Sequence, residues 1–199
     1  MTLAEKFHID FEEALAFATR LHSTQLRKGT DIPYISHLIG VAGIVLEHGG
    51  GRDAAIAALL HDTIEDQAES YPGGADQLRA DIRSKFGQAV LEIVEGCTET
   101  DAVPKPPWRE RKERYIAHLA DASPSILFVS CADKVHNTRA ILSDFRVVGD
   151  AVWGRFSVGK DGTLWYYRSL ADAFGRLGPA RLADELGRVV AEIEKLSAA

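Results

Sequence analysis

Ala54-Ala55-Ile56-Ala57-Ala58-Leu59-Leu60-His61-Asp62 is the stretch on which the reading of the fold turns. Seven apolar residues in a row precede an imidazole and a carboxylate. A helix that is apolar all round belongs in the centre of a domain, and seven residues fall far short of the roughly 20 that cross a bilayer. The segment therefore reads as a central helix, beginning near Asp53, that delivers His61 and Asp62 to buried ground. Placing those two groups there is costly unless both find partners. A divalent cation satisfies both at once; a His–Asp hydrogen-bonded pair that ends the helix is the plainer alternative.

Upstream, Gly49-Gly50-Gly51 ends a helix that runs from about Ser36 to His48. A loop over Leu26 to Tyr34, with Gly29 and Pro33, separates it from an N-terminal helix. Asp10-Phe11-Glu12-Glu13 has the pattern of a capping box, which puts the start of that helix at Asp10. Phe11, Ala14, Leu15, Ala18 and Leu21 follow at helical spacing. Downstream, Ala75 to Phe86 and Gln88 to Cys97 read as helices split at Gly87. Pro104, Pro106 and Pro107 mark a loop, and Trp108 to Leu119 reads as a charged amphipathic helix. Ser123-Pro124 opens another helix, with Ser as N-cap and Pro in the first turn. Asp161-Gly162, within Phe156 to Leu164, fits a short hairpin or a loop, and the favoured reading is a loop leading into a helix from about Thr163 to Phe174. A last helix begins at Gly178-Pro179, and its Leu182 and Leu186 can pack on the domain or on a second subunit. The expectation is an all-α fold in a single domain, residues 1–199, a length that suits one core.

Composition narrows the function classes. Hydrophobic residues are 46% and charged residues 26%, which suits a globular chain and excludes wholesale disorder. A net charge of -6 with no long basic block argues against binding a nucleic-acid polymer. A small anionic substrate needs only a few cations, and Arg27-Lys28 supplies two. Met1 to His8 has neither a basic nor an apolar leader region, so no secretory signal is expected. With no span for a membrane, the chain reads as cytoplasmic. Cys97 and Cys131, each in an apolar helical segment, read as buried thiols.

A wider constellation surrounds His61-Asp62. Glu65 and Asp66 follow one helical turn later, so all four side chains project towards a shared region. Crowded carboxylates repel unless a cation sits among them; a solvated acidic helix end is the alternative. His37 opens the helix after Pro33. Asp133-Lys134 puts charge into an otherwise apolar helical face, with Asn137 one turn on; a surface Asp133 paired with Lys134 or Arg139 is the plainer reading. Two imidazoles and two carboxylates suit Mn²⁺, Fe²⁺ or Zn²⁺. Such an ion lowers the pKa of a bound water, and Glu65 and Asp66 would orient and deprotonate it.

The order His37, His61-Asp62, Asp133 resembles the H…HD…D signature of HD-domain phosphohydrolases. Arg27-Lys28-Gly29, Pro33-Tyr34-Ile35-Ser36-His37, His61-Asp62-Thr63-Ile64-Glu65-Asp66 and Ala132-Asp133-Lys134-Val135-His136-Asn137-Thr138-Arg139 together resemble the hydrolase domain of RelA/SpoT homologues. In length the chain is similar to the stand-alone small alarmone hydrolases, and the resemblance covers roughly residues 7 to 175. It implies the all-helical HD fold and one Mn²⁺ ion, with other divalent metals able to serve. The implied metal ligands are His37, His61, Asp62 and Asp133, and the implied catalytic pair is Glu65 and Asp66. Arg27 and Lys28 correspond to a loop that approaches the nucleotide, Asn137 to a contact near the ribose phosphate, and Tyr166 to an aromatic lining the base or ribose pocket. The implied reaction removes the 3′-pyrophosphate of ppGpp, pppGpp or the adenosine equivalents. Two alternatives stand beside it: a phosphatase acting on NADPH or another nucleotide, and a nucleotide-binding sensor without turnover. Thr100 to Trp108 and Val147 to Leu164 border the nucleotide in this reading and leave the base open, and the oligomeric state is open too.

Overall fold

Nearly all regular structure is helical, and no strand occurs among the described residues, which in this computed structural model are 3–198, with side chains from Phe7 onward. Of the leader stretch Met1 to His8, the first two residues lie outside that range. The chain falls into two compact units, one ending at Arg111 and the other beginning at Lys112. Among the described residues no helix is long and apolar enough to cross a membrane.

The first unit is organised around α3 (Arg52–Leu60), which packs against α1 (Leu3–Leu21), α2 (Ile35–Glu47) and α6 (Gln88–Cys97). Ala55 to Leu60 are all 0% exposed. Four of the nine residues of α3 are alanines, and a helix of such small girth lets neighbours approach from every side. Leu59, Leu60 and Ile56 supply the bulk that fills the space between them. α4 (Thr63–Gln67) follows at once, and α5 (Gly74–Phe86) leads into α6.

The first helix departs from expectation. It begins at Leu3, so Asp10 lies inside it and caps nothing. Phe7 and Phe11, one turn apart, stack with centroids 5.6 Å apart and carry the helix back past Asp10. The Asp10 carboxylate instead accepts Arg52 Nε at 2.6 Å, tying α1 to the first residue of α3. After α1 the chain closes a tight loop: Leu26 and Pro33 form an isolated antiparallel bridge. The Arg27 N–H donates to the Ile32 carbonyl at 2.8 Å, and Gly29 takes the left-handed φ of 70° that the turn needs.

The second unit holds the remainder of α7 (Trp108–His118), a 3₁₀ turn over Leu119–Asp121, α8 (Pro124–Val148), a 3₁₀ segment over Gly149–Arg155, α9 (Gly159–Leu177) and α10 (Ala180–Ser197). As expected, Ser123 caps α8, its hydroxyl accepting the Ile126 N–H at 3.4 Å with Pro124 in the first turn. α10 packs against α8 and α9, and Leu182 and Leu186 are fully buried within this unit. Ion pairs of Arg139 with Glu185, Arg146 with Glu192 and Arg168 with Glu194 run along the same seams. α9 starts a turn earlier than Thr163. Gly162 lies inside the helix, where a Cβ would come within 2.7 Å of the Val158 side chain, so this glycine serves packing and not a turn.

Truncating Leu59 to Ala should cost about 2–5 kcal/mol, as expected for a fully buried leucine. Ile39→Ala, at a half-exposed position on α2, should stay within about 0.5 kcal/mol of wild type. Urea midpoints of the two variants against wild type check the contrast.

Candidate active site

α3 ends at Leu60, but the backbone stays near helical values through His61 (φ -59°, ψ -31°) and Asp62 (φ -96°, ψ -1°). The Asp66 N–H reaches back to the Asp62 carbonyl at 2.9 Å. His61 is 2% exposed and its Nδ1 lies 2.8 Å from the Ala58 carbonyl. A carbonyl only accepts, so Nδ1 carries the proton, and in the neutral ring Nε2 carries the lone pair. That Nε2 lies 3.0 Å from Asp62 Oδ2. His37, in the first turn of α2 and 0% exposed, brings its own Nε2 to 3.5 Å from the same oxygen. The two rings meet edge-on, centroids 5.2 Å apart. The Tyr34 hydroxyl donates to Asp62 Oδ2 at 2.5 Å. The His61 electron pair directed at a carboxylate oxygen repels it unless positive charge lies between them, as a proton or a metal ion, and His37 brings a second nitrogen to the same place. Two nitrogens and a carboxylate oxygen are the donors a divalent transition metal takes.

The acidic pair stands on α4. Glu65 accepts the Glu99 N–H at 3.2 Å and Lys105 Nζ at 3.0 Å. Glu99 in turn pairs with Arg111 at 2.8 Å, and Arg111 Nε donates to the Pro106 carbonyl at 3.0 Å. The proline-rich loop is thereby fastened beside α4. Asp66 accepts Gln25 Nε2 at 2.8 Å. Its side chain keeps a solvent-facing side but sits in a recess dense with protein atoms. Loss of hydration there, with the charges of Asp62 and Glu65, raises its pKa to about 6, against the pull of Gln25 and Lys105.

Several residues at this site carried no signal in the sequence. His22, just beyond α1, is 2% exposed, bonds through Nδ1 to Gln25 Oε1 at 2.6 Å and stacks on Tyr34 with centroids 5.3 Å apart. Burial lowers its pKa, with Gln25 working the other way. Gln25, Gln67 and Lys105 join it only through partners some forty residues away in the chain. Of the basic pair, Arg27 is half-buried with its guanidinium 5.7 Å from the centre of the Tyr34 ring, and Lys28 is exposed.

In the second unit, Asp133 is 4% exposed and so is not a surface residue. Its carboxylate accepts Asn137 Nδ2 at 2.6 Å and Lys134 Nζ at 2.5 Å, while Arg139 belongs to Glu185. Lys134 lies over the Tyr115 ring at 5.0 Å. Burial works to lower its pKa, but Asp133 and the phenols of Tyr166 and Tyr115 outweigh this and hold it well above the ordinary lysine value. Tyr166 is buried, with Lys112 Nζ 4.6 Å above its ring. Cys97 and Cys131 are both buried. Burial, helped by Glu185 and Asp133, pushes the Cys131 thiol up to about 12, far from a reactive thiolate.

The HD domain family matches residues 14–155, and the chain belongs to it. Among its relatives is the guanosine-3′,5′-bis(diphosphate) 3′-pyrophosphohydrolase MESH1 of Xenopus tropicalis, 39% identical over 130 residues, or 64% of this chain and 66% of that protein. The human MESH1 is 38% identical over the same shares. An Aquifex aeolicus guanosine-3′,5′-bis(diphosphate) 3′-pyrophosphohydrolase is 30% identical over 66% of this chain and 18% of its own. The chain thus spans just under two thirds of the length of the MESH1 relatives. A solved structure described as a metazoan orthologue of SpoT that hydrolyses ppGpp shares the fold, with a TM-score of 0.74 at 24% identity over 92% of this chain and 95% of that one. A Listeria monocytogenes protein gives 0.68 at 28% identity over 80% of this chain and 99% of its own.

In metal-stripped protein the Asp66 carboxyl should titrate near 6, against an ordinary value of 3.8. The raised value means that its contribution to folding is fullest below the ordinary pKa and is lost as pH rises through about 6. Glu65→Gln removes one neighbouring negative charge and should lower the midpoint. Carboxyl ¹³C NMR titration reads this directly, and an unmoved midpoint would contradict the assigned cause.

Proposed function

We propose that this chain is a cytoplasmic, metal-dependent phosphohydrolase that removes the 3′-pyrophosphate of alarmone nucleotides: ppGpp, pppGpp or their adenosine equivalents. The products are pyrophosphate and the nucleoside di- or triphosphate. The observation that carries the reading is the direction of His37 Nε2 and His61 Nε2 towards one Asp62 oxygen in buried surroundings. The names of the MESH1 and Aquifex relatives support the substrate class. Residues 1–199 are read as one HD-type domain, since the family match runs through both units.

His37, His61, Asp62 and Asp133 would hold one Mn²⁺ ion, a mixed nitrogen and oxygen set suited to it. When bound, such an ion acidifies a water molecule and supplies a nucleophile at neutral pH. Asp66 would act as the general base towards the attacking water, its carboxylate aimed by the Gln25 Nε2 donor at 2.8 Å. Glu65, both of whose oxygens are engaged by Glu99 and Lys105, is a fixed acceptor that orients the attack. Arg27 and Lys28 offset the negative charge of the 3′-pyrophosphate. Asn137 contacts the ribose phosphate, and Tyr166 offers a ring face to the base or ribose.

Product analysis of the Mn²⁺-loaded protein with ppGpp, ppApp and NADPH in separate reactions tests the proposal. Pyrophosphate is expected from one or both alarmones, and the ratio of rates identifies the base. Orthophosphate from NADPH alone would overturn the substrate class while keeping the metal site. Asp62→Ala and Asp133→Ala should lose metal and turnover together, by elemental analysis and initial rates. Glu65→Gln and Asp66→Asn should retain metal while kcat falls about 100-fold or more, the usual scale for a lost general base.

A further inference from the structure

We infer that Gln25 is the positioning residue for Asp66, held in one amide orientation by His22 and Gln67; this rests on the role proposed for Asp66 above. The argument begins at the carboxylate. An ionised Asp66 only accepts hydrogen bonds, so the end of the Gln25 amide that lies 2.8 Å from Asp66 Oδ2 is the NH₂ group. The Gln25 oxygen then faces Gln67 Nε2 at 2.6 Å and His22 Nδ1 at 2.6 Å, so both of those atoms must donate. His22 is thereby fixed as the Nδ1–H tautomer, with Nε2 3.5 Å from the Thr63 hydroxyl. Turning the Gln25 amide over would set an oxygen against the carboxylate and an NH₂ group against two donors. Three contacts fail together, so the amide has a single stable setting.

The parts of this network are themselves immobile. His22 is buried and stacked on Tyr34, whose ring plane lies 17° from its own. Gln67 is on α4 with Asp66, one residue further along. Gln25 therefore links the loop after α1 to the acidic turn and aims one Asp66 oxygen. The other charged groups acting on Asp66 are Asp62, Glu65 and Lys105. Without the Gln25 donor, the two neighbouring carboxylates would turn the Asp66 side chain towards solvent or towards Lys105. With its amide engaged by Asp66, Gln67 and His22, Gln25 acts through Asp66.

Two measurements test this. Side-chain ¹⁵N NMR of wild-type protein, with no substrate, should find His22 as the Nδ1–H tautomer, and Gln25→Leu should raise the share of the Nε2–H form. An Nε2–H tautomer in wild type would overturn the proposal, because His22 Nδ1 would then set a lone pair against Gln25 Oε1 and could not hold it. In steady-state pyrophosphate release, Gln25→Leu should lower kcat at least about tenfold, with KM within about twofold and metal content unchanged. His22→Leu should fall in step, whereas His22→Asn, whose amide N–H occupies the place of Nδ1–H, should stay near wild type. Unchanged kcat in Gln25→Leu, or equal losses in His22→Leu and His22→Asn, would reduce the network to packing and overturn the proposal. A wild-type protein that leaves ppGpp and ppApp intact would refute the functional reading instead, and the tautomer would still decide the Gln25 geometry.

Discussion

Two buried imidazole nitrogens directed at one carboxylate oxygen form an arrangement that a folded protein does not keep without compensation. His37, His61 and Asp62 are held in it from different directions. His61 is set by the Ala58 carbonyl, His37 by its place in the first turn of α2, and Asp62 by the Tyr34 hydroxyl. Each restraint is local and modest. Together they fix three donors where water has little access, and donors that cannot turn to water are costly to leave without a proton or a cation between them. The rest of the first unit can be read as the support for this point: α3 must be central to end there, and the loop over Leu26–Pro33 must close tightly to bring Tyr34 and Arg27 beside it.

The acidic turn depends on the same point in a different way. Loss of hydration raises the pKa of Asp66, and the neighbouring charges of Asp62 and Glu65 raise it further. One neutral amide, Gln25, and one cation, Lys105, moderate that repulsion, and Gln67 and Arg111 hold them in place. Gln25 comes from the loop after α1, Gln67 from α4 itself, Lys105 from the proline-rich loop, and Arg111 holds that loop through Glu99. A general base in this position is neither an isolated surface carboxylate nor a fully sequestered one. Its basicity is set by how many of these neighbours stay in place.

What could be read in the sequence follows from the range of the interactions. The all-apolar run before His61, the Ser123-Pro124 helix start and the glycine stop after His48 are local patterns with local causes, and each lies where it was expected. Asp10 misled because a capping-box pattern also fits a carboxylate taken up by an arginine 42 residues away. Asp161-Gly162 misled because a glycine needed for contact with Val158 looks the same as one needed for a turn. For the site, His37, His61 and Asp62 were legible, and the structure brings them together. Glu65 and Asp66 stand on the turn that follows, as expected. His22, Gln25, Gln67 and Lys105 were not legible, since a lone polar side chain gives no pattern until its partner 40 or more residues away in the chain is in place.

The alanine-rich centre of the first unit also has a meaning during synthesis. α1 and α2 leave the ribosome before α3 and can cover two of its sides at once, but α6, which covers a third, is complete only at Cys97. At ordinary elongation rates the nascent chain carries Ala54–Leu60 with one side bare for about 2–7 s. A seven-residue apolar segment in that state is what holdase chaperones bind and what neighbouring polysomal chains stick to. Four alanines among those seven make it a far less adhesive surface than the same helix built from leucine and valine, so the composition that lets α3 be surrounded in the finished fold also shelters it while it waits.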